Sequence, residues 1–226
     1  MNTNDYGVIF DMDGVLVDSY EAHYQSWVRM ARSRGWEMTR QQFKATFGRV
    51  SRDIIQRLWG DQVSGEEIPA IDDRKEEEYR AILREHFPEM DGAADLVRAL
   101  HGAGFRLAVG SSGPKPNVET VIDRLPGGAG QCFDAYVHAM DVTHGKPHPE
   151  VFLKAAEKLR LPPRRCAVIE DSLMGLEAAR RAEMIAIGLI GTARREQLAE
   201  LAHVVVDSLR ELTPQRVREL IDCSPR

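Results

Sequence analysis

Six short apolar runs, each closed by a polar residue or a glycine, punctuate the chain: GVIFD from Gly7, FRLAVGSS from Phe105, AYVHAMD from Ala135, CAVIED from Cys166, MIAIGL from Met184 and HVVVDS from His203. Runs of this length without polar alternation read as strands buried on both faces. Between most of them apolar residues recur at spacings of three and four. AADLVRALHGAG stops on glycine, PEVFLKAAEKL opens on proline, and SLMGLEAARRAE starts beside Asp171 and Ser172, either of which can cap it. Strand and helix in alternation predict an α/β fold, a Rossmann-like parallel sheet core with helices on both faces, whose ligands bind beyond the carboxyl ends of the strands.

From about Glu21 to His86 the pattern changes. The stretch reads as helical throughout, carries the charge-rich DDRKEEEYRAILREH and offers no strand. The expected organisation is therefore an α/β core domain of residues 1–18 and 88–226, with residues 19–87 inserted after the first strand as a helical cap domain, placed to act as a lid. PGGAG from Pro126 reads as a surface loop.

The chain has 226 residues, 43% of them hydrophobic and 29% charged, enough for one large core plus a modest insertion. A formal net charge of −5, with no stripe of Lys and Arg, argues against a nucleic-acid partner and leaves small anions open. Cys132, Cys166 and Cys223 are odd in number and widely spaced, as expected of reduced thiols. No apolar run reaches membrane-spanning length and no leader pattern precedes the first strand, so the expectation is a cytoplasmic protein with no membrane partner, monomeric by default.

Four polar clusters fall at the ends of predicted strands: Asp11 and Asp13 after the first, Ser111 and Ser112 after the second, Lys146 in HGKPHPE after the third, Glu170 and Asp171 after the fourth. In a parallel sheet these ends converge. As many as four carboxylates facing one ammonium hold together only with a divalent cation between them, and an all-oxygen donor set favours Mg²⁺. Each cluster has a plainer reading: a lone D-x-D solvates a loop, the serines of VGSSG make a turn or cap, and Lys146 is a loop lysine. Their order along the chain is what gives them weight. An EF-hand loop begun at Asp11 fails at its fifth position, Val15, and its twelfth, Ala22. The glycines of GAGFRLAVG end a helix before a strand, the reverse of a dinucleotide fingerprint. His138, His144 and His148 have no regular ligand spacing and read as loop or surface residues.

Taken in order, DMDGVLVDS, GSS, GKPHPEVF and IEDS resemble the four motifs of the haloacid dehalogenase superfamily, in the branch with a helical cap after the first motif. That resemblance spans essentially the whole chain. It implies that Asp11 attacks phosphorus to form an aspartyl-phosphate and that Asp13 protonates the leaving oxygen and then activates water. It further implies that Mg²⁺ is held by the Asp11 carboxylate, the Asp13 carbonyl and Asp171, with Glu170 acting through water. Ser111 and Lys146 hold the transferring phosphoryl group, with Ser112 beside them. Asp13 separates this chain from the dehalogenases, which lack that aspartate, and from the cation-pumping ATPases, which carry threonine there.

His23 and Trp27 in EAHYQSW, Arg49 and Arg52 in FGRVSRDI, and Lys75 in DRKEEEY resemble the cap of β-phosphoglucomutases and related sugar phosphatases. This implies substrate contacts from His23, Trp27, Arg52 and Lys75. Arg52 paired to a helix acid, Lys75 on a solvated face and His23 with Trp27 lining one helix side are the ordinary readings. GSSGPKPNVE is longer and richer in proline than the mutase pattern, and MDGAADL lacks the proline usual before its helix. The expected function is thus Mg²⁺-dependent hydrolysis of a small phosphorylated metabolite, a sugar phosphate, with a β-phosphoglucomutase-type transfer as the alternative and a non-catalytic binding protein of the same fold as a third reading.

Overall fold

In a computed structural model, residues 6–223 are described. They form two compact units, one of residues 6–18 with 87–223 and one of Ser19–His86.

The first unit is built on six parallel strands: β1 Gly7–Phe10, β2 Arg106–Gly110, β3 Ala135–Val137, β4 Cys166–Glu170, β5 Ile185–Leu189 and β6 Val204–Val206. Their spatial order is β3-β2-β1-β4-β5-β6. This is a doubly wound arrangement in which the order reverses between β1 and β4. The helices of the chain, in sequence, are α1 Tyr20–Ser33, α2 Arg40–Thr46, α3 Ser51–Trp59, α4 Ile68–Glu85, α5 Ala93–Gly102, α6 Lys115–Arg124, α7 Glu150–Leu159, α8 Leu173–Arg181, α9 Arg195–Ala199 and α10 Pro214–Asp222.

Central strands β1, β4 and β5 are buried along their full length, which is why their sequences run apolar without alternation. Ile9, Ala108, Val168 and Ala186 share one register row and one face. Against that face pack Val151, Phe152, Ala155, Ala156 and Leu159 of α7 and Leu176, Ala178 and Ala179 of α8. The alternate residues Val8, Phe10, Leu107, Val109, Ala167 and Ile169 are equally buried toward the other side. Ser172 caps α8, its hydroxyl accepting from Gly175 N at 3.1 Å. Pro126–Cys132 is not a plain loop but a 3₁₀ segment interrupted at Gly127 and Gly128, both with positive φ.

Just past β1 the chain turns tightly. Leu16 N and Val17 N donate to Met12 O at 2.9 and 3.3 Å, Gly14 N donates to Val17 O at 2.8 Å, and Gly14 has φ +80°, a conformation open to glycine at little cost. Val17 then bridges antiparallel to Glu89, Asp18 N donates to Pro88 O at 2.8 Å and Met90 N to Leu16 O at 3.2 Å. The two points where the polypeptide leaves and re-enters this unit are therefore stitched side by side.

The second unit is helical. On α1, Ala22, Ser26, Trp27, Met30 and Ala31 are buried at helical spacing. Trp27, Met30, Phe43, Ile54, Ile55, Trp59, Ile68 and Ile71 form its core, with Trp36 stacked on Trp59 at 5.1 Å between ring centroids. A capping box starts α2, Thr39 and Gln42 each satisfying the other's backbone N–H.

Candidate active site

The register explains why distant residues meet. Phe10 lies beside Ile169 across the β1–β4 pair, so Asp11 leaves the sheet next to Glu170, and Asp11 N donates to Ile169 O at 3.0 Å. Asp171 follows one residue on. One ligand oxygen from each of Asp11, Glu170 and Asp171 lies within 4.8 Å of the others, and all three residues are buried. Into this group reaches Lys146, whose Nζ is 2.7 Å from Asp11 Oδ1 and 2.7 Å from Glu170 Oε1, its side chain only 9% exposed.

Each acid is held from behind. Glu170 Oε2 accepts from Ser172 N at 2.7 Å and Ser172 Oγ at 2.8 Å, at the start of α8, where the helix dipole favours a negative charge. Asp171 Oδ2 accepts from Thr192 N at 3.3 Å and from the Thr192 hydroxyl. Two glycines make room for the acids. A Cβ on Gly14 would stand 2.3 Å from Asp171 Oδ2, and one on Gly175 would stand 1.7 Å from Glu170 Oε1.

Three carboxylates share one ammonium, and the electrostatics record the imbalance. Burial, reinforced by Glu170 and Asp171 and opposed by Lys146, holds the Asp11 carboxyl well above the usual carboxylate range. Burial and then Glu170 push Asp171 up to about 7. Burial works against the Lys146 ammonium, yet Asp11 and Glu170 outweigh it and keep the amine charged beyond its ordinary range. A hard divalent cation among these oxygens relieves the excess negative charge, so the donor set fits Mg²⁺.

Asp13 is half-buried and bridges to Val17; its carboxylate is not among the three that converge. Ser111, just beyond β2, is buried, and its Oγ accepts from Gly113 N at 2.9 Å, the turn role of such a serine, which leaves its hydroxyl hydrogen to donate elsewhere. Ser112 beside it is exposed. In the helical unit, His23 stacks on Tyr79 at 4.2 Å between centroids, and Lys75 Nζ lies 3.1 Å from His23 Nδ1 and 2.8 Å from Glu76 Oε1. Lys75 is buried, not on a solvated face, because Trp27 and Tyr79 offer their rings to its ammonium at 5.7 and 5.5 Å. Trp27 itself is 3% exposed and enclosed in the core of the unit, so its ring serves packing and the Lys75 site instead of an open surface. Arg52 is exposed and pairs with no acid among the described residues, against the helix-pair reading.

Thr192 was not expected at the site. It stands just past β5, the strand beyond β4, and the same strand-end argument that selected the other clusters could have found it in GTARRE. Gly14 and Gly175 have a steric role that the sequence carries no sign of. His144 and His148, which spacing did not make a metal set, come together with Glu150, whereas His138 turns away to accept from Met140 N.

A Rossmann-like sheet with acids at the β1–β4 reversal and a lysine between them defines a haloacid dehalogenase-like hydrolase, and the family model for these hydrolases matches residues 7–183: the chain belongs to that family. Among curated relatives, it is 30% identical to validoxylamine A 7'-phosphate phosphatase of Streptomyces hygroscopicus subsp. limoneus, across 90% of this chain and 94% of that protein. It is 31% identical to fructose-1-phosphate phosphatase of Escherichia coli (strain K12), across 80% and 94%. Among solved structures, β-phosphoglucomutase of Clostridium difficile superposes with a TM-score of 0.79 at 26% identity, across 96% of each chain. The relatives' names point to phosphatases, and no helix among the described residues is long and apolar enough to cross a membrane.

Proposed function

We propose that this chain is a Mg²⁺-dependent phosphomonoester hydrolase acting on a small phosphorylated sugar through an aspartyl-phosphate on Asp11. The observation that carries the reading is the Lys146 ammonium 2.7 Å from both Asp11 and Glu170, with Asp171 alongside. The names of two relatives, phosphatases of validoxylamine and fructose phosphates, support the substrate class. Within this reading the protein works in the cytoplasm as a monomer.

The chemistry follows from charge. A phosphate monoester is anionic, so an attacking carboxylate needs its repulsion from the phosphoryl oxygens screened. Asp11, Glu170 and Asp171, with the Asp13 carbonyl, would hold Mg²⁺, which supplies Lewis-acid screening of the phosphoryl oxygens. Lys146 opposes the burial that raises the Asp11 carboxyl, favouring its ionised form, and orients it, while the Ser111 hydroxyl donates to a phosphoryl oxygen. Asp11 Oδ forms a bond to phosphorus as the ester P–O bond breaks, and Asp13 gives its proton to the departing alkoxide. Asp13, now a carboxylate, takes a proton from water as that water attacks phosphorus, releasing phosphate and restoring Asp11. His23, Arg52 and Lys75 are proposed to recognise the rest of the substrate, with Ser112 beside the phosphoryl group.

Asp11→Asn should abolish phosphate release from aryl and sugar phosphates while the thermal midpoint is retained; survival of more than about 1% of turnover would exclude Asp11 as nucleophile. The structural likeness to a phosphomutase favours a second reading, transfer to a sugar hydroxyl. β-Glucose 1-phosphate with a trace of the bisphosphate separates the two: inorganic phosphate supports hydrolysis, and isomerised glucose phosphate without it supports the mutase.

A further inference from the structure

Outside the acid cluster, a second group of metal-type ligands lies where the loop after β3 enters α7. One ligand atom each from His144, His148 and Glu150 falls within 4.8 Å of the others, and the two imidazole centroids are 4.5 Å apart. The carboxylate is divided between two tasks. Oε1 takes Lys154 Nζ at 2.9 Å and Thr143 N at 3.1 Å, while Oε2 takes His144 N at 2.9 Å and lies 3.2 Å from His144 Nδ1; His148 Nδ1 accepts from Glu150 N at 3.3 Å, which leaves its Nε2 for an ion. Such outer hydrogen bonds fix a ligating carboxylate in place, and they keep Glu150 ionised: its carboxyl is lowered to about 2, chiefly by Lys154 and then by the Thr143 and His144 amides. The histidine side chains are 63% and 49% exposed, so an ion can reach them from solvent.

We infer that His144, His148 and Glu150 form a site for a borderline divalent transition ion of the Zn²⁺ type, separate from the Asp11 centre. Two imidazoles and one carboxylate suit Zn²⁺, Co²⁺, Ni²⁺ or Cu²⁺ and disfavour Mg²⁺, which takes oxygen donors. The ligands bracket Lys146 in sequence, so an ion held there ties both sides of the segment that delivers the ammonium to Asp11.

The test is calorimetric titration of the tag-free chain with ZnCl₂ in saturating Mg²⁺, paired with the visible absorption of added Co²⁺. One Zn²⁺ per chain is expected. His148→Ala and His144→Gln should each weaken binding by at least about tenfold and remove the Co²⁺ bands, with thermal midpoints unchanged because both positions are exposed. Asp171→Asn, which alters the other centre, should leave the event in place. Zn²⁺ binding that survives both histidine substitutions, that vanishes with Asp171→Asn, or that is absent from the unaltered chain would overturn the assignment.

Discussion

Each unit of the chain buries one lysine on the acids around it, and the two surroundings differ in their charge count. Lys146 meets two carboxylates at 2.7 Å with a third close by; Lys75 meets one, Glu76 at 2.8 Å, along with the His23 ring and the faces of Trp27 and Tyr79. The first arrangement leaves negative charge in excess, whereas the second pairs one ammonium with one carboxylate and lays it on aromatic rings. Burying ionised acids without compensation costs several kcal/mol each, so the surplus is where the proposed cation and anionic reactant would be handled.

Four outcomes would sharpen or break this contrast. The largest effect belongs to Lys146→Met, which removes the ammonium from between Asp11 and Glu170: kcat should fall roughly 10³-fold, and steady-state rates within about tenfold of the parent would show that the lysine does not organise the site. Next, Gly14→Ala places a methyl 2.3 Å from Asp171 Oδ2 at a backbone angle suited to glycine. It should lower kcat/KM by roughly 10² through displacement of Asp171; unchanged kinetics with an unaltered affinity for Mg²⁺ would deny the close approach a role.

The third outcome concerns pH. Asp171 titrates near 7 when folded, above its unfolded value of 3.8, so between those values the folded chain binds the extra proton. Stability from this group is therefore complete below about pH 4 and declines as pH rises toward 7. Mg²⁺ requires the ionised form, so the rise in thermal midpoint on adding Mg²⁺ should be greater at pH 8 than at pH 5. Equal rises at both, read by melting curves, would contradict the assignment of Asp171 as a ligand. The smallest effect is expected from Lys75→Met. Its partner Glu76 keeps some access to water, and the Met chain keeps contact with the aromatic rings, so denaturant unfolding should shift by about 1–3 kcal/mol, the cost of leaving one buried polar group unpaired. A loss of several kcal/mol would make Lys75 a structural ion of the helical unit.

Much of this site was legible in the sequence because a parallel sheet gathers strand ends, and Asp11, Ser111 and Glu170 close or follow apolar runs that betray those ends, whereas Lys146, on the polar loop after β3, was placed by the order of the motifs. Thr192 was accessible to the same logic but sits in a glycine-rich stretch with no acid to draw attention. The burial of Lys75 and Trp27 was not legible, since a helix with charges at nearly every turn gives no sign of which face its neighbours cover. The meeting of His144, His148 and Glu150 depends on the fold of an irregular loop, where no period ties sequence separation to distance.

The antiparallel contact of Val17 with Glu89, together with the Asp18 to Pro88 hydrogen bond, means that the α/β unit meets its helical insert as a single closed hairpin. An insert of any length joined there adds little to the entropy of closing that hairpin, since closure entropy grows only logarithmically with loop size. Such a junction should make the helical segment exchangeable: shortened to a tight turn, it is expected to leave the strand order that assembles Asp11 and Glu170 undisturbed.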